Sequence, residues 1–218
     1  MASVYTKSLK DIFSFEVILF VIKITLLSLL VSLSTLWYFW EELLHFVEGY
    51  LSWIPWEWLQ TSGATLISWG FGYMIFLIAL STFTSLLSEK LLVKLAKKSY
   101  YIEPTGSPNT ILSLIITAKS SLLSLGLFVL FIPLFFIPIV GQILIVYVWS
   151  IMLKKPTLYD VSSLFITNKE LRRQKGKKTT LLSMIASLFN YIPILNTFAP
   201  IFAQILFLHH SLKDEKKK

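Results

Sequence analysis

Cysteine is absent from this 218-residue chain, which excludes disulfides, zinc–thiolate centres and cysteine nucleophiles. Arginine is nearly absent, the first being Arg172. Charge of either sign is scarce, at 15% of residues against roughly a quarter in soluble domains. Three long stretches, 58–88, 120–153 and 179–212, contain no Asp, Glu, Lys or Arg at all. A helix at a water-facing surface alternates polar and apolar faces, and these runs do not. No H-E-x-x-H, G-x-S-x-G or P-loop occurs, so neither an enzyme nor an ATP-driven machine is expected. Nothing in the pattern calls for a cofactor.

What is abundant is apolar surface. Hydrophobic residues make up 55% of the chain and the mean hydropathy is +0.70. Uncharged runs of this length are what hydrocarbon selects for. The net charge is +8, but the basic residues sit beside apolar runs, so membrane topology and anionic lipid explain them better than nucleic acid. The first apolar stretch is interrupted by Glu16 and Lys23 and no A-x-A site follows it, so it reads as an uncleaved anchor. Spanning helices are predicted at about 17–40 and 59–88. Between them, Trp37 to Trp58 is crowded with Trp and Tyr and carries Glu41, Glu42, Glu48 and Glu57 without Lys or Arg. Amphipathic rings favour the headgroup level, so this stretch reads as an interfacial, non-cytoplasmic connector. Ala64, Ser68 and Gly72 recur every fourth residue. That spacing marks either a helix–helix contact or chance in a Ser-rich chain.

Basic segments lie at 89–105 and 154–178, and the tail ends in Lys216, Lys217 and Lys218. The positive-inside rule puts all three in the cytoplasm together with the N terminus. Residues 109–153 and 179–212 must then each enter the membrane and return. Each has prolines near its middle, Pro133 and Pro138 in the first and Pro193 and Pro200 in the second, and proline breaks a helix where the chain turns. The arm 138–153 is about 24 Å long and the arm 179–192 about 21 Å, short of the roughly 30 Å of a hydrocarbon core. The fold expected is a single all-α integral membrane domain over 1–218: two long transmembrane helices plus two Pro-broken, half-penetrating helical hairpins. Hairpins that cross fully, giving six spans, are the alternative.

The two hairpin tips resemble each other. Phe136-Ile137-Pro138-Ile139-Val140-Gly141-Gln142 and Tyr191-Ile192-Pro193-Ile194-Leu195-Asn196-Thr197 share an aromatic-Ile-Pro-Ile-aliphatic pattern at an offset of 55 residues. Internal duplication is a common plan for transporters. These motifs, with Leu158-Tyr159-Asp160 after the first and Pro200 after the second, resemble those of the CysZ sulfate permeases and the wider etoposide-induced membrane protein family. The resemblance implies a multi-pass protein of a bacterial inner (plasma) membrane with cytoplasmic termini, a homo-oligomer, and passage of sulfate or sulfite for cysteine synthesis. It equally allows a non-transport membrane scaffold, as in the family's eukaryotic members. The N-terminal segment departs from the family, which carries a Gly/Pro/Arg-rich stretch where this chain has Lys7-Ser8-Leu9-Lys10-Asp11.

If an anion passes, the tips are candidate contacts. A proline at the first position of a returning helix leaves free amides pointing into the membrane, and helix N-termini attract anions. Gly141 permits close backbone approach, and Gln142 and Asn196 offer side-chain donors. The alternative is that these residues cap the helices and let the chain turn. Lys119, about three turns into the first hairpin, lines an anion path or snorkels to the headgroups. Lys23 reads as snorkelling. His209 and His210 point about 100° apart on a helix, so no metal site is expected.

Overall fold

The computed structural model describes residues 2–135, 137–192 and 194–213, and every regular element among them is helical. An amphipathic α1 (Ala2–Ile12) leads through a tight turn into α2 (Phe15–Tyr38). There Ser14 donates both its amide and its hydroxyl to the Asp11 carbonyl, at 3.0 and 2.6 Å. A short α3 (Trp40–Leu51) precedes the long α4 (Glu57–Leu87), and α5 (Glu89–Tyr100) follows directly. A first helical hairpin pairs α6 (Thr110–Phe135) with α7 (Val140–Phe165). The basic α8 (Lys169–Gly176) is capped by Asn168, whose Oδ1 accepts from the amides of Glu170 and Leu171 at 2.8 and 3.3 Å. The second hairpin is α9 (Thr179–Ser187), two 3-10 turns at Leu188–Tyr191 and Leu195–Phe198, and α10 (Ala199–Leu212).

Among the described residues, three helices, α2, α4 and α6, are long and apolar enough to cross a membrane. Two had been expected at this length. The third, α6, is the entering arm read at 111–132, already long enough to cross, and it runs on through Pro133 to Phe135. A proline this near a helix end forfeits one backbone bond, and the rest of the helix stays satisfied. Helix α7 likewise runs on through Lys154, Lys155 and Pro156 to Phe165, so the first part of the basic segment at 154–178 is helical. The second hairpin is different in kind. At 9 and 14 residues, α9 and α10 extend about 14 and 21 Å.

The lipid-like exterior and the packed interior divide each helix. On α2, Val17, Val21, Ile24, Ser28, Ser32 and Leu36 are buried, a step of three or four that lines one face, while leucines on the other face stand exposed. The short α10 is apolar on nearly every side and sits at the centre, against α1, α4, α5, α7 and α9. A helix that is hydrophobic all round must be buried; on α10 even Gln204 and His209 are.

The small-residue face of α4 is a helix contact. Ala64, Ser68 and Gly72 are all buried, and the Gly72 carbonyl accepts a hydrogen bond from Ser32 Oγ of α2 at 2.7 Å. A Cβ on Gly72 would stand 2.9 Å from Leu36 Cδ2. Gly72→Leu is therefore expected to push α2 off α4 and cost about 1–3 kcal/mol, read as a lower thermal unfolding midpoint in detergent.

The basic segments 89–105 and 154–178 gather at one end, and Lys216, Lys217 and Lys218 lie outside the described residues. Lys94 pairs with Glu16 at 2.7 Å and Lys97 with Glu103 at 2.8 Å. The Thr105 amide donates to the Leu164 carbonyl at 2.8 Å, and Lys175 Nζ donates to the Ser211 carbonyl. Helix α3 packs instead on the first turns of α4, through Val47, Leu51 and Ala64.

Candidate functional site at the hairpin tips

The first tip is a tight turn. The Val140 amide donates to the Pro138 carbonyl at 2.7 Å, and the Gly141 amide to the Ile137 carbonyl at 2.8 Å. The residue between, Ile139, is held at φ 67°, ψ −55°, the geometry of a γ-turn. At the equivalent position of the second tip, Ile194 has φ 73°, ψ −47°. Positive φ is rare for a β-branched residue and costs on the order of 1–3 kcal/mol. The repeat read in the sequence is thus a repeat of strained backbone. Pro193, and Phe136 at the head of the first motif, lie outside the described residues.

Gly141 is buried against the backbone of Phe135. A Cβ there would meet the Phe135 carbonyl oxygen and stand 2.7 Å from its carbonyl carbon. Its lack of a side chain therefore lets the chain close on itself. The free tip amides expected from the sequence are not found at Val140, Gly141, Asn196 or Thr197, because each donates to a carbonyl of its own turn. Pro138 precedes α7 by two residues, whereas Pro200 falls in the first turn of α10.

The two tips are tied together. Tyr191 donates its hydroxyl to the Gln142 carbonyl at 2.7 Å, which leaves the Gln142 side chain exposed. Asn196 Nδ2 donates to the Tyr73 hydroxyl at 3.3 Å, and that hydroxyl donates to the Asn190 carbonyl at 3.4 Å. The Trp149 ring stands edge-on between Tyr73 and Tyr191, with centroids 6.4 and 5.4 Å away. Gly141, Gln142 and Asn196 therefore share one aromatic–amide neighbourhood. Lys119 stands apart, exposed on α6, and Lys23 is exposed on α2.

Nearer the basic end lie two buried polar networks that the sequence did not foresee, although Asp160 ends one of the quoted motifs. Asp160 is 2% exposed. Ser113 Oγ lies 2.7 Å from its Oδ1, and Ser85 Oγ and Gln204 Nε2 lie 2.6 and 3.0 Å from its Oδ2. Ser85 and Ser113 are 2.7 Å from each other, and Thr117 donates to Ser85 at 3.2 Å. One carboxyl thus joins α4, α6, α7 and α10. The second network joins α1, α5 and α10. Burial, then the nearby Asp11 carboxylate, push the Tyr100 hydroxyl up to about 12. It keeps its proton and lies 2.9 Å from His209 Nδ1, while His209 Nε2 lies 2.9 Å from Asp11 Oδ2. The sequence signals were the Leu158-Tyr159-Asp160 motif for the first network and a lone His beside an apolar run for the second.

Helices of crossing length with exposed leucines, and a short hairpin whose returning helix is the core, define a multi-pass helical membrane protein. Residues 5–200 match the family described as Sulfate transporter CysZ/Etoposide-induced protein 2.4, and the chain belongs to that family. No curated protein and no solved structure matches it.

Proposed function

We propose that the protein is an inner-membrane permease or channel for sulfate or a similar small anion, feeding sulfur assimilation for cysteine biosynthesis. The observation that carries this reading is the paired tip geometry: two isoleucines at equivalent positions of a repeat, both strained, in tips bonded to each other. Strain of this kind clusters at binding and gating sites, and transporters build their sites from repeated, interrupted helices. The family supplies the anion. The Gln142 and Asn196 side-chain amides are the donors offered to it. The hairpin α9–α10 enters from the cytoplasmic side and stops partway, because its arms are shorter than a bilayer core; the α6–α7 tip, bonded to it, lies at the same depth.

Because α10 fills the centre of one copy, the path runs along the face where copies of a homo-oligomer meet, and Lys119 lines it. Lys119→Glu is expected to cut sulfate flux severalfold without moving the unfolding midpoint; unchanged flux would leave Lys119 a snorkelling residue. The same filled centre favours the second reading, a membrane scaffold that conducts nothing. Labelled sulfate uptake into proteoliposomes, with chloride and phosphate as competitors, separates the two. Saturable, selective entry supports the permease. Folded, assembled protein with no flux above empty liposomes supports the scaffold.

A further inference from the structure

Where α2 gives way to α3, the chain forms an open groove of ≈ 610 Å³ whose lining includes Trp37, Tyr38, Trp40 and Trp69, with Glu41 and Glu42 at its rim. The break at Phe39 (φ −106°, ψ 18°) turns α3 away from α2, and Trp40 meets Trp69 of α4 edge-on with centroids 5.8 Å apart. Trp37 and Trp69 are 85% and 56% exposed, so indole surface is open to a ligand. The two exposed carboxylates are not matched by a cation of the chain. No Lys or Arg occurs between Lys23 and Lys90, and none of the ion pairs among the described residues involves Glu41 or Glu42. Their place in the first turn of α3 suits the helix dipole but leaves both charges unneutralised. Faces of Trp and Tyr beside a carboxylate are the chemistry that recognises an alkylated ammonium.

A second feature says what that ammonium is attached to. Leu33 also lines the groove, and Leu26, Leu30, Leu33 and Trp37 follow one another at helical spacing along α2. All four are more than half exposed, so they form an apolar stripe running about 16 Å down the helix from the groove. The groove suits a headgroup and the stripe suits an acyl chain. We infer that this groove binds a zwitterionic phospholipid, its ammonium against Trp37, Trp40 and Trp69 and its charge balanced by Glu41 and Glu42. The site is distinct from the hairpin tips and does not depend on what, if anything, passes between them.

The test is native mass spectrometry of the purified full chain in detergent, offered equal amounts of diheptanoyl phosphatidylcholine and diheptanoyl phosphatidylglycerol, which differ only in headgroup. The wild type is expected to retain the choline lipid about tenfold more. The double changes Trp37→Ala/Trp69→Ala and Glu41→Gln/Glu42→Gln should each bring the two lipids to parity, while Trp69→Phe keeps the preference. Unfolding midpoints confirm that each variant is folded; the Glu→Gln pair keeps the test informative if the Trp pair fails to fold. Equal retention of both lipids by the wild type would overturn the inference, as would a preference untouched by the Glu→Gln pair. Free choline that binds as well as the lipid would reassign the groove to a soluble cation. A change in oligomer mass in the variants, with lipid retention unchanged, would make it a contact between copies.

Discussion

Replacing Asp160 with alanine is expected to lower stability by about 3 kcal/mol or more, whereas Asp160→Asn should cost less than about 1 kcal/mol. The contrast follows from counting protons. Asp160, Ser85 and Ser113 close a ring of three oxygen–oxygen contacts, each between 2.6 and 2.7 Å. With an ionised carboxylate, the two serine hydroxyls supply two protons for three contacts. A neutral carboxyl supplies the third and completes the ring. Burial acts in the same direction, since a low-dielectric site disfavours the charged form. Asparagine reproduces the neutral acid: its amide donates to one serine and its carbonyl accepts from the other. Alanine removes the carboxyl that Ser85, Ser113 and Gln204 all contact at the junction of four helices and leaves a void there. Thermal unfolding of both variants in detergent at about pH 5, where burial holds the carboxyl neutral, is the check. A destabilised Asp160→Asn, close to the alanine variant, would mean that the carboxylate is ionised.

Gly141→Ala should be nearly as damaging, and for a local reason. The new Cβ would lie 2.7–2.8 Å from the Phe135 carbonyl carbon and Cα. These are backbone atoms, which cannot swing aside as a side-chain end does. The first tip has to open, at a cost of about 1–3 kcal/mol, and the Tyr191–Gln142 bond to the second tip is lost with it. Sulfate flux is expected to fall to background. Gly126→Ala is the control. It lies within α6 with nothing inside 4 Å of its Cβ, and alanine is the better helix former by up to about 1 kcal/mol, so this variant should be as stable as the parent or slightly more so. Equal behaviour of the two alanine variants would contradict the close approach at the tip.

The long helices were legible because hydrocarbon leaves a blunt mark on sequence. The uncharged run at 58–88 ended where α4 ends, at Leu87, and α2 ends in the aromatic cluster that marks an interface. The repeat was legible as a pattern, since both tips carry Ile-Pro-Ile. Its strain was not, because positive φ is associated with Gly and Asn rather than isoleucine. Pro133 was read as a break at the tip but lies inside α6, since a proline within three residues of a helix end looks in sequence like one that breaks a helix. The polar networks were illegible for a different reason. Asp160 draws its partners from 44 to 75 positions away, and His209 meets Asp11 across 198. No local spacing announces a contact that only the tertiary fold makes, and an apolar stretch ending in Asp looks the same whether that carboxyl is buried or solvated.

Labelled sulfate entry into liposomes holding the wild type, measured beside Gly141→Ala and Gly126→Ala at equal protein density, ties the tip geometry to function. The result expected is saturable uptake by the wild type and Gly126→Ala, with Gly141→Ala at the level of empty liposomes. Uptake by folded Gly141→Ala equal to the wild type, or no uptake by any of the three, would contradict an anion path built on the paired tips.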